Sequence, residues 1–112
     1  MRVFSGQRAW LLQRITALAI LCFLAIGSVV LLFNLPLNYA DWRMHLTSGL
    51  GAVLTILLFG AICLHGWVGI RDIVLDYIQP RGLRLTVLAL IAIFLSGILI
   101  RVALIVAARV PL

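Results

Sequence analysis

Residues 46–70 read LTSGLGAVLTILLFGAICLHGWVGI, a run without Asp, Glu, Lys or Arg and with one histidine, His65. A helix rises about 1.5 Å per residue, so a run of this length can cross a hydrocarbon core of about 30 Å. Two more runs share its character. Ile15–Phe33 has no charged residue, and Leu85–Ala107 has only Arg101. The reading is an all-α membrane protein with three transmembrane helices in one domain, 1–112, with approximate spans 15–33, 48–76 and 84–107. Composition agrees: 65% of residues are hydrophobic and 11% charged, with a mean hydropathy of +1.26. Only short connections remain outside the spans, which excludes a separate soluble catalytic domain.

The net charge of +6 comes from nine basic residues, all arginine, against three aspartates. They sit at helix ends and in short loops, the pattern of a topology signal rather than of a nucleic-acid surface. Three spans put the termini on opposite sides. One side then carries Arg2, Arg8, Arg14, Arg71, Arg81 and Arg84, and the other Arg43, Arg101 and Arg109. The richer side should be cytoplasmic, and the N-terminus with it. The run from Ile15 is longer than a signal-peptide core and no small-residue cleavage pattern follows it, so a retained first helix is expected. Cys22 and Cys63 fall inside spans and read as apolar filler, not as a disulfide or metal site.

Loops follow from breakers and belt aromatics. The first helix can begin before Arg14, with Trp10 at the interface. Residues 34–45 read as a loop, ended and belted by Pro36, Asn38, Tyr39 and Trp42. Pro80 stops the second helix, which should end just after Tyr77. Arg101 should lie within a turn or two of the interface and snorkel to the headgroups; a partner's acidic residue or a lipid phosphate is the alternative. His45 reads as an ordinary interfacial residue.

The chemistry is concentrated in residues 64–77, LHGWVGIRDIVLDY. At 100° per residue, Gly69, Asp72 and Asp76 follow His65 along one helix face. An imidazole inside a membrane must find polar partners. It can be tied to a neighbouring helix, or, with Gly66 and Gly69 clearing space for a large flat group, it can be an axial haem ligand. Tyr77 lies about 18 Å beyond His65 along an ideal helix, at the cytoplasmic interface. It reads either as a belt aromatic or as a phenol donating to a carbonyl at the mouth of a lipid-facing pocket. Asp76 is either a solvated helix-end charge or a support for that site. Arg14 enters at the same membrane face, where it either sets topology or meets Asp72, Asp76 or an anionic cofactor group. Trp67 reads as lipid- or partner-facing packing.

With these residues together, the chain resembles the small hydrophobic membrane anchor subunits of bacterial succinate dehydrogenase (complex II), the D type. The segments that carry the resemblance are Gln13-Arg14-Ile15-Thr16-Ala17, His65-Gly66-Trp67-Val68-Gly69, Asp76-Tyr77, and Pro80 followed by Arg84. The resemblance implies a b-type haem with His65 as one axial ligand to the iron, the other coming from a larger anchor subunit (C). It implies a ubiquinone contact at Tyr77, with Asp76 in support, and Arg14 as a candidate contact for the haem propionates. Partners would be that larger anchor, an iron–sulfur subunit and a flavoprotein subunit, which hold the FAD and iron–sulfur clusters. Localisation would be the bacterial cytoplasmic (inner) membrane, and activity would exist only in the assembled complex, carrying electrons from succinate to quinone. The alternatives are an anchor of fumarate reductase or another haem b quinone-reactive complex, and a purely structural or assembly membrane protein; a small exporter fits less well.

Overall fold

A computed structural model describes residues 6–109. Arg2, counted above for topology, and the tail residues 110–112 lie outside the described residues. Four helices follow in order: α1 Gln7–Phe33, α2 Tyr39–Thr47, α3 Gly49–Tyr77 and α4 Arg81–Ala107. The three long ones are apolar enough to cross a membrane, as the composition required. Their 27, 29 and 27 residues give rods of about 40 Å, longer than the hydrocarbon core, so their ends reach the headgroup region.

α3 is the middle of the molecule. It packs against α1 on one side and α4 on another, while α1 and α4 do not touch each other. The arrangement is an open layer of antiparallel helices rather than a closed bundle. The start of α1, the end of α3 and the start of α4 therefore share one end. That end holds Arg8, Arg14, Arg71, Arg81 and Arg84; the far end holds Arg43, Arg101 and Arg109.

Helix ends are set by identifiable groups. Asn34 closes α1: its backbone N–H donates to the Leu31 oxygen and its side-chain amide to the Val30 oxygen at 2.7 Å. At the other end of the membrane layer, Arg84 of α4 reaches back across the Pro80 turn. Its Nε donates to the Ile78 oxygen at 2.9 Å and its Nη2 to the Leu75 oxygen at 3.2 Å. A guanidinium on free carbonyls complements the negative end of a helix.

The expected loop over 34–45 is corrected: most of it is α2. Asn38 caps this helix, its side chain accepting from the Asp41 N–H at 2.8 Å. Asp41 lies in the first turn and His45 in the last, both favourable to the dipole. Ser48 alone joins α2 to α3, ending one with its N–H and capping the other with its side chain. At Gly51, a Cβ would run into the His45 carbonyl oxygen, so only glycine allows so sharp a joint.

Candidate functional site

Inside a membrane, apolar side chains gain nothing by leaving lipid, so helix contacts rest on close packing and on polar groups that must be satisfied. Accordingly few apolar residues are buried, among them Ala9, Ala52, Val68 and Val74. The polar groups gather between α1 and α3 at the arginine-rich end.

There the two helices frame a cleft of about 450 Å³. From α1, Trp10, Gln13, Arg14 and Ala17 line it at helical spacing; from α3, His65, Val68, Arg71 and Asp72 do so. Val68, 1% exposed, is the most buried side chain among the described residues. His65 and Asp72 thus share the cleft, while Asp76, on the same helical face, does not line it. Gly69 turns to the same side: a Cβ there would meet Gln13 Nε2 at an ordinary 3.7 Å. Beside Gly66 lies open space.

His65 Nδ1 lies 3.2 Å from Thr16 Oγ1 on α1. This is the tie to a neighbouring helix, and it engages one ring nitrogen. Among the described residues Nε2 has no hydrogen-bond partner.

Arg14 pairs with neither Asp72 nor Asp76. Its guanidinium carbon lies 5.4 Å from the centre of the Trp10 ring, a cation–π contact that leaves its donors available at the cleft. The Asp72 partner is instead Arg71, 3.5 Å away, whose side chain is only 17% exposed. Arg71 Nη1 and Gln13 Oε1 are buried without a hydrogen-bond partner. Sequence reasoning took Arg71 for a topology charge and assigned Thr16 and Gln13 no role. Only the approach of α1 to α3 makes them part of one site.

Asp76 and Tyr77 stand apart from the cleft at the end of α3, both exposed, Tyr77 to 81%. The Tyr77 hydroxyl has no hydrogen-bond partner among the described residues. Trp67 faces away from His65, about 200° round the helix, and lines a groove between α3 and α4. In the same groove the Cys63 thiol donates to the Leu95 oxygen at 3.7 Å. Among the described residues no three His, Cys, Asp or Glu side chains gather to hold a metal.

A family model described as succinate dehydrogenase/fumarate reductase transmembrane subunit matches residues 2–105. The succinate dehydrogenase hydrophobic membrane anchor subunit of Coxiella burnetii (strain RSA 493 / Nine Mile phase I) is 30% identical over 92 residues, covering 82% of this chain and 80% of that protein. The protein of the same description from Rickettsia felis (strain ATCC VR-1525 / URRWXCal2) is 30% identical over 97 residues, covering 80% of this chain and 75% of the relative. The match runs through all three membrane-crossing helices and both walls of the cleft, and the chain belongs to the succinate dehydrogenase/fumarate reductase transmembrane subunit family, as a multi-pass anchor of the inner membrane.

Proposed function

We propose that this anchor supplies half of a haem b pocket and one edge of a ubiquinone site in a succinate:quinone oxidoreductase. The observation that carries the reading is His65, an imidazole in the membrane-crossing part of α3, bonded through Nδ1 and without a partner at Nε2, in a polar cleft. The residues fit the group. One ring nitrogen remains for iron, Gly66 leaves the helix surface open, and Arg14 and Arg71 bring cationic donors toward where propionates would lie. Arg71 Nη1, buried with no hydrogen bond and only the 3.5 Å ion pair to Asp72, strengthens that fit. A second ligand would come from the larger anchor subunit, which would cover the open side of the cleft.

Bound haem would supply a one-electron carrier beside the quinone. The rest is done by this chain's own groups. Arg14 and Arg71 offset negative charge at the cleft, and Asp72 holds Arg71 in place. The arginine-rich end is read as cytoplasmic, where iron–sulfur and flavoprotein subunits would dock. Tyr77, exposed on that side, is read as the donor to a ubiquinone carbonyl, with Asp76 beside it in support. Ubiquinone takes up two electrons and two protons to become the quinol, and an oriented O–H favours the charge that builds on its oxygen.

The test is His65→Ala in the purified complex. The reduced-minus-oxidised spectrum of low-spin haem b should change or vanish while the subunits still assemble. An unchanged spectrum in a fully assembled variant would leave His65 as a tie between α1 and α3 and nothing more.

A further inference from the structure

Thr16 is 5% exposed, on the α1 face against His65. Its Oγ1 lies 2.8 Å from the Leu12 oxygen and 3.1 Å from the Gln13 oxygen. Helical threonines donate back to the preceding turn in this way, and inside a membrane no water replaces that bond. A hydroxyl has one hydrogen and two lone pairs. With the hydrogen directed to a carbonyl, Oγ1 meets His65 Nδ1, at 3.2 Å, as an acceptor. Nδ1 must then carry the ring hydrogen. A neutral imidazole has a single N–H, so the lone pair is left on Nε2.

We propose that Thr16 is a positioning residue that fixes the tautomer and ring orientation of His65 for iron ligation through Nε2. The proposal rests on the haem reading above. The chain of bonds runs from His65 Nδ1–H to Thr16 Oγ1, and from the Thr16 O–H to the Leu12 carbonyl. It prepares the ligand before iron arrives and makes the ring a stronger electron donor afterwards. A stronger donor favours ferric over ferrous iron and so holds the haem potential down. No other side chain competes for the place: among the described residues His65 has no further hydrogen bond.

The experiment compares Thr16→Val, Thr16→Ser and His65→Ala with wild type in the purified complex. Optical spectrum, low-spin electron paramagnetic resonance and a redox titration of the haem are read, none of which is turnover. Valine keeps the shape and removes the acceptor. It should raise the haem midpoint potential and shift the resonance signal, or lose haem, while serine stays at wild type. If the valine variant does not assemble, Thr16→Ala is read by the same criteria. A valine variant with wild-type potential and resonance overturns the proposal, as does a serine variant displaced as far as valine, since the methyl then matters and not the hydroxyl. Should His65→Ala leave the spectrum intact, the haem reading itself falls and Thr16 with it; a changed His65→Ala beside an unchanged valine variant removes only the role of Thr16.

Discussion

At the scale of single residues, the polar side chains of this protein divide by whether the chain itself satisfies them. Thr16 and Thr55 each donate to a carbonyl one turn back and so can sit in an apolar helix. Arg71 Nη1 and Gln13 Oε1 find no hydrogen-bond partner within the described residues, Arg71 keeping only its ion pair to Asp72. The phenol of Tyr77, 81% exposed at the end of a membrane-crossing helix, has no hydrogen-bond partner among the described residues. Tyr77→Phe keeps the ring and deletes only that hydroxyl. Loss of one hydrogen bond to the reacting carbonyl should cost on the order of 1–3 kcal/mol, or about 5- to 150-fold in rate. Succinate-to-quinone turnover should fall accordingly, while succinate oxidation with an artificial acceptor that draws from the soluble subunits persists. Wild-type rates in both assays would make Tyr77 a belt aromatic.

At the scale of elements, the α2–α3 joint is where two effects of opposite sign can be separated. Glycine inside a helix is less stable than alanine by about 1 kcal/mol, so glycine to alanine is favourable wherever space allows. Gly82 has nothing within 4 Å of a would-be Cβ, whereas Gly51 would meet the His45 backbone. Backbone cannot rotate away as a side-chain tip can, and overpacking costs typically about 1–3 kcal/mol. The clash therefore outweighs propensity at Gly51. Gly51→Ala should lower the heat-inactivation midpoint of the purified complex, and Gly82→Ala should leave it level or raise it. Equal midpoints for the two would show that the joint relaxes freely.

At the scale of the whole molecule, α3 touches both long neighbours and they do not touch each other, so much of α1 and α4 is open to lipid or to other subunits. Leu18, Leu21, Ile26, Ile93 and Phe94 are all more than half exposed. Such a layer is completed by its surroundings and not by a core of its own. The same antiparallel layout collects Arg8, Arg14, Arg71, Arg81 and Arg84 at one end. Reporter insertions should therefore place residues 79–82 in the cytoplasm and residues 34–38 on the opposite side of the membrane. The reverse result would invert the layer and remove the proposed quinone edge from the side where the soluble subunits would dock.

The amino-acid sequence alone decided that this chain is helical and membrane-crossing, because length and apolarity are summed over one segment and need no partner. Pro80 likewise ended α3 at Tyr77 from local sterics. The helical period put His65, Gly69 and Asp72 on one face, since a rotation of 100° per residue is a property of the helix itself. The short helix α2 was local too, through the Asn38 cap and Asp41, but a search for apolar runs passes over nine polar-rich residues. What no local rule carried was which side chains of α1 meet that face. Thr16 and His65 lie 49 positions apart in the chain, and their contact depends on how α1 is rotated and slid against α3. Packing in lipid settles that rotation through small residues and polar bonds, with no apolar stripe to announce it. The cleft, the burial of Arg71 and the orientation of the His65 ring were therefore decided only when the helices came together.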